Sequence, residues 1–229
     1  MPPMSNEPLD LNNCPMRQIV ESAWAERENF DLTGIGYGQS HTHPNQTVTK
    51  PYPYYYFLAG LVQITQARRI VEIGTHQGGS TLAMAKALEK TGEGKIVTFD
   101  VTPFGAQMFK DHDFIKAYTC DANSEKAFNL VAEEFGGKRV DLVFIDAIHQ
   151  FWPSLLNVLI YGETFAARFI VLDDITFNDE MKRLWELLRM RYGAENVIDA
   201  SEVDKQIRLP GGSAPGFGVV RCRGINRPD

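Results

Sequence analysis

The sequence has 229 residues, 44% of them apolar and 23% charged, which suits one α/β domain with a small appendage and excludes extended disorder. A formal net charge of −6 argues against a non-specific nucleic-acid binder, which needs a basic surface to displace counterions. Cys14, Cys120 and Cys222 stand far apart without C-x-x-C spacing, so neither a disulfide framework nor a zinc site is expected, and a cytoplasmic location fits. The opening MPPMSNEPLD lacks the basic and apolar regions of a signal peptide, and no run approaches the ~18 apolar residues of a membrane span. Neither export nor a membrane partner is expected.

In chain order, residues 14–27 form a predicted amphipathic helix, followed by the polar loop GYGQSHTHPNQT. The run KPYPYYYFLAGLVQ then opens a helix. Its aromatic cluster, Tyr52 to Phe57, is read mainly as packing, with cover over an active site as the alternative. Residues 1–56 are expected to form an N-terminal helical or lid extension and 57–229 the main domain. From Ile70 onward, short β-branched runs alternate with helical stretches. Strands are predicted at 70–73, 95–99, 115–118, 142–145 and 169–172, with helices at 80–88, 105–110, 124–134 and 152–165. A helix at 180–192 leads to strands at 197–200 and 218–221. That last pair reads as hairpin-like, with the glycines of LPGGSAPGFG serving its turn. Repeated β-α-β units give an α/β fold with a doubly wound, mostly parallel seven-stranded sheet, helices on both faces and an N-terminal helical extension.

The stretch RRIVEIGTHQGGSTLAMAKAL is a strand, a glycine-bearing turn and a helix, the place where doubly wound folds bind nucleotides. Gly74 matches the first glycine of the dinucleotide fingerprint, but His76 stands where a pyrophosphate would demand a second one. Nicotinamide cofactors are therefore disfavoured and a nucleoside without phosphates favoured. Glu72 sits inside the strand end, where a carboxylate needs a cation or donors; anchoring the loop is its simplest role. Asp100 ends the second strand, where an acid can accept the hydroxyls of a ribose. Asp121 ends the third, and is read equally as a helix cap and as a ligand contact.

Taken together, VEIGTHQGGST, FD, CDAN and DLVFIDAIH resemble the motifs of class I S-adenosylmethionine-dependent methyltransferases, with a Rossmann-like sheet. The E-I-G-T-x-x-G-x-S form, with VLDD closing the fifth strand, is similar to the cation-dependent O-methyltransferases. The D-x-x-H pattern followed by D-D most resembles the macrocin-type sugar enzymes, and GTHQGGS the cephalosporin-hydroxylase-like group. The resemblance covers residues 68–175. It implies S-adenosylmethionine bound with Glu72, Gly74, Thr75 and Ser80 beside the methionine part, Asp100 on ribose, Asp121 and Ala122 flanking adenine, and Asp146 a further contact.

Asp146 and Asp173 end strands one β-α-β crossover apart, and Asp174 adds a third carboxylate. Like charges this close raise a pKa or recruit a cation. With the resemblance, the set implies a divalent metal, Mg2+ or another hard cation, on Asp146, Asp173 and Asp174. Catechol-type relatives place a lysine shortly after the corresponding aspartate; here His149 is the nearby base. The expected reaction is O-methylation of a small-molecule hydroxyl acceptor, a sugar diol or a catechol, with His149 taking the proton. Two other readings stand beside it: an iron-dependent oxygenase recruiting His41 and His43, and a non-catalytic binding protein on the same fold. The acceptor is not legible, and a homo-oligomer is open.

Overall fold

A computed structural model describes residues 9–35, 51–207 and 216–222. Seven strands form one sheet: β1 (Arg69–Ile73), β2 (Lys95–Asp100), β3 (Ile115–Thr119), β4 (Leu142–Ile145), β5 (Phe169–Asp173), β6 (Val197–Asp199) and β7 (Phe217–Arg221). Their spatial order is β3-β2-β1-β4-β5-β7-β6. The first five strands are parallel, while β7 runs antiparallel to both β5 and β6. The predicted strands are all present. The last pair does adjoin, but β7 inserts between β5 and β6, and the glycine-rich segment 208–215 lies outside the described residues.

Helices α1 (Met16–Ala25), α2 (Pro53–Thr65), α3 (Gly79–Thr91), α4 (Phe104–Met108), α5 (Glu125–Glu134), α6 (Phe151–Asn157) and α7 (Asp179–Tyr192) surround the sheet. Side chains alternate across each strand, so the core divides by parity. Ile70, Ile96, Leu142, Phe144 and Val171 pack with the buried faces of α1, α2 and α3. Val71, Val97, Val143, Ile170 and Leu172 pack with those of α5 and α7. Both faces are therefore covered, which is why β1 and β4 read as nearly continuous apolar runs. The boundary expected at residue 56 falls inside α2. Helix α1 shares the core of α2 through Ile19, Val20 and Ala23, all fully buried.

The helix predicted at 152–165 proves to be two segments, α6 and a π-helical stretch, Val158–Thr164. The wider turn sets Tyr161 in the core between Phe99 and Phe165. Its hydroxyl donates to the main-chain oxygen of Ala122, tying this element to the end of β3.

Strand order reverses at β1, whose neighbours are β2 on one side and β4 on the other. At such a switch point the following connections leave for opposite faces and open a crevice at the carboxyl edge.

Candidate active site

A cavity of about 1030 Å³ opens at that edge. The loop after β1 forms one wall. Gly74 has φ +99°, and its N–H donates to the carbonyl of Phe99 at 2.9 Å. Beneath this loop Glu72 is fully buried. It accepts hydrogen bonds from Ser80 Oγ at 2.6 Å, from Thr98 Oγ1 at 2.7 Å and from Thr81 Oγ1. Burial pushes its carboxyl up to about 7 even against those three donors. Glu72 thus anchors the loop and the start of α3, and it does not line the cavity; direct contact with a methionine moiety is corrected to this supporting role. Gly74, Thr75 and Ser80 do line it.

Asp100, half-buried at the end of β2, accepts from the His76 N–H at 2.7 Å and from the Thr102 main-chain N–H and hydroxyl, each at 2.8 Å. Asp100 therefore fixes the loop as well as facing the cavity. The left-handed His76, φ +44°, presents its main chain to this acid where a dinucleotide loop would have glycine. Asp121 accepts from the Asn123 N–H at 2.8 Å. Capping of α5 belongs instead to Ser124, whose Oγ accepts from the Ala127 N–H at 3.2 Å. Asp121 and the buried Ala122 remain on the cavity wall.

The acids of β4 and β5 meet because these strands are parallel neighbours with Ile145 opposite Leu172, which leaves Asp146 beside Asp173. Donor atoms of Asp146, His149 and Asp173 all lie within 4.8 Å of one another. Asp174, in the left-handed region at φ +57°, joins through the imidazole: its Oδ2 is 3.5 Å from His149 Nε2, which lies 3.8 Å from Asp146 Oδ1. The expected set of three aspartates is thus observed as two aspartates grouped with a histidine and a third acid facing that histidine. Burial, then the charges of Asp174 and Glu72, pushes Asp146 up to about 7. Burial and Asp146 hold Asp173 well above the usual carboxylate range. Burial lowers the imidazole of His149, opposed by Asp174. His149 Nε2 is buried and makes no hydrogen bond among the described residues. Acids held above their ordinary range by burial, with neighbouring negative charge adding to it at Asp146 and Asp173, fit a divalent cation bound beside them. His41 and His43, the residues an iron site would recruit, lie outside the described residues.

Three tyrosines complete the far wall. Tyr52, Tyr54 and Tyr55 line the cavity, while Phe57 is fully buried beneath. The aromatic run therefore serves packing and site together. Its period along α2 does not separate the two uses, because Tyr54 and Tyr55 are buried by the core on one side and by the cavity wall on the other.

Comparison with known proteins agrees with this layout. Residues 71–175 match a family described as a methyltransferase domain. The O-methyltransferase TomG of Streptomyces achromogenes, solved with S-adenosylmethionine, superposes with a TM-score of 0.54 at 19% identity, over 94% of this chain and 93% of that one. An O-methyltransferase of Bacillus cereus, solved with S-adenosylhomocysteine, gives 0.52 at 20% identity, over 91% of this chain and 93% of that one. The fold is the Rossmann-like methyltransferase fold. In sequence, the chain is 34% identical over 95 residues to a catechol O-methyltransferase of Niastella koreensis. That alignment takes in 40% of this chain and 42% of that enzyme, less than half of either. Among the described residues no helix is long and apolar enough to cross a membrane.

Proposed function

We propose that the protein is an S-adenosylmethionine-dependent O-methyltransferase that acts, with a divalent cation such as Mg2+, on a hydroxyl of a small molecule, by preference one of two adjacent hydroxyls. The observation that carries this reading is the meeting, in one cavity at the switch point, of a nucleoside-suited glycine loop with the Asp146, His149, Asp173 and Asp174 group. The cofactors named for TomG and the Bacillus cereus enzyme support it by likeness of fold, and the matched family by likeness of sequence.

In this reading Asp100 accepts the ribose hydroxyls, while Asp121 and Ala122 flank the base. Asp146 and Asp173 hold the cation, with Asp174 beside them. When bound, S-adenosylmethionine supplies a methyl group already activated on a sulfonium, and the cation lowers the pKa of a hydroxyl it touches. The chain's own tasks are alignment and proton removal. His149 Nε2, which has no hydrogen-bond partner among the described residues, would take the hydroxyl proton. Asp174 and Asp146, at 3.5 and 3.8 Å, then face the resulting imidazolium. The acceptor oxygen would thereby gain the methyl and the cofactor sulfur would become a neutral thioether, while the proton would rest on His149 Nε2.

The iron-oxygenase reading has no observation in its favour beyond the His41 and His43 sequence pair. The test is formation of S-adenosylhomocysteine by purified protein presented with a panel of catechols and sugar diols, with and without chelator. Lack of turnover across the panel, together with lack of cofactor binding, would refute the proposal.

A further inference from the structure

His149 stands in the connection between β4 and α6, which has no regular structure. Neither a helix nor a strand ladder fixes its main chain, so its placement depends on side chains that reach this connection. Ser154 Oγ of α6 donates to the Ile148 carbonyl at 3.0 Å. Two further side chains come from the start of α7, each reaching a residue 29 positions earlier in the chain. Asn178 Nδ2 donates to the His149 carbonyl at 2.8 Å, and Glu180 accepts from the Phe151 N–H at 2.8 Å.

Asn178 is also the N-cap of α7, where its Oδ1 accepts from the Met181 N–H at 2.9 Å. Its carboxamide is used at both ends, and the partners fix its orientation: an N–H on one side must meet oxygen, and a carbonyl on the other must meet nitrogen. Capping alone is served as well by Ser or Asp. The donor to His149 is what Asn adds.

The same segment meets the imidazole itself. Phe177 lies against that ring at 5.7 Å between centroids, and Asp174 Oδ2 faces Nε2 at 3.5 Å. The helix that follows is anchored in the core by Met181, Leu184, Trp185 and Leu188, all buried. Ring, Nε2 and main chain of His149 are therefore all held from one anchored element.

We infer that Asn178 is a positioning residue, which holds the main chain of His149 so that Nε2 is presented to the acceptor hydroxyl. This assignment rests on the O-methylation reading above. Asn178 does not line the cavity, so its effect passes through His149. Without the hydrogen bond the imidazole samples other orientations, and a misplacement of about 1 Å can cost ~10²-fold in rate.

Asn178→Ser keeps a side chain suited to the cap and withdraws the donor; Asn178→Asp does the same at nearly unchanged size and covers the case in which the Ser variant folds poorly. Either should lower kcat by ~10- to 100-fold with KM and S-adenosylhomocysteine affinity nearly unchanged, and should cause no further loss when combined with His149→Gln. A readout without turnover comes from ring NMR of the five histidines, His149 being the signal missing from His149→Gln. That signal should shift or broaden in the Asn178 variants. Equal losses of kcat in both backgrounds, an unchanged His149 signal in a folded variant, or a drop in melting temperature that accounts for the lost turnover would overturn the assignment while the O-methylation reading stands. A wild-type protein without turnover would overturn that reading, and the ring signal would still decide whether Asn178 places His149.

Discussion

The main-chain oxygen of Asp146 lies 1.7 Å from where a Cβ on Gly74 would be. The two strand ends are also joined by a hydrogen bond from the Asp146 N–H to the carbonyl of Ile73 at 2.8 Å. The glycine that reads in sequence as part of a nucleotide loop is thus required by contact with the neighbouring strand. The same contact fixes the position of Asp146 in the acid group.

Gly74→Ala should accordingly damage the fold and the site together. A clash with main-chain atoms at φ +99° cannot be relieved by rotating a side chain. Destabilisation of about 4 kcal/mol or more is expected, at the upper end for single substitutions. Thermal unfolding measures it. A variant melting within a degree or two of wild type would show that the strand ends separate freely.

The cofactor reading predicts binding of S-adenosylmethionine and S-adenosylhomocysteine but not of NAD, because His76 occupies the place where a pyrophosphate needs glycine. Isothermal calorimetry on the purified chain distinguishes them. Tight NAD binding without binding of either sulfur nucleoside is the contrary outcome.

Asp173→Ala should abolish cation-dependent turnover and weaken the binding of divalent cation, while S-adenosylhomocysteine still binds. The reason is that Asp173 groups with Asp146 and His149, whereas the nucleoside is expected to rest on Asp100 and Asp121. Turnover of wild-type protein that persists in excess chelator would show that the acids serve another purpose.

His149→Gln keeps polarity and approximate size but cannot take up a proton. Turnover at saturating substrate should fall by ~10²- to 10⁴-fold, the usual contribution of a general base, with cofactor affinity nearly unchanged. Loss of cation binding in this variant would instead make His149 a ligand, as its grouping with Asp146 and Asp173 permits. Near-normal turnover would reduce it to a structural role.

Glu72 gives a pH prediction. Its carboxyl moves from an ordinary 4.5 up to about 7 in the folded chain, so between those values the folded state binds more protons than the unfolded one. Its contribution is fully present below about 4.5 and declines as pH rises through about 7. The decline is on the order of 3 kcal/mol. Glu72→Gln removes this titration, so its stability should fall less than wild type across the same window. Denaturant midpoints at pH 5 and pH 8 provide the check, and parallel pH profiles would contradict it.

Much of the architecture was legible from residue order because it depends on local pattern. Short β-branched runs between helical stretches marked the strands, and acids following those runs marked the carboxyl edge where a ligand belongs. The acids at 72, 100, 121, 146, 173 and 174 were found that way, Gly74 by the turn after the first strand and His149 by its spacing from Asp146. Their division of labour was not. Glu72 and Asp121 have the same sequence signature, an acid at a strand end, yet one is fully buried under three hydroxyls and the other is exposed. That difference arises from what packs above each strand, which no window of sequence contains.

By itself, then, the sequence determined the strand-loop-helix units and the chemistry available at their ends, since these follow from side-chain period and from residues adjacent in the chain. Only the tertiary structure decided that β7 enters between β5 and β6, that His149 rather than Asp174 completes the compact group with Asp146 and Asp173, and that the side chain of Asn178 reaches the main chain of His149. Each of these joins residues distant in sequence. Their distances are set by register, close packing and the burial of polar groups against particular partners, which exist only once the sheet has been assembled.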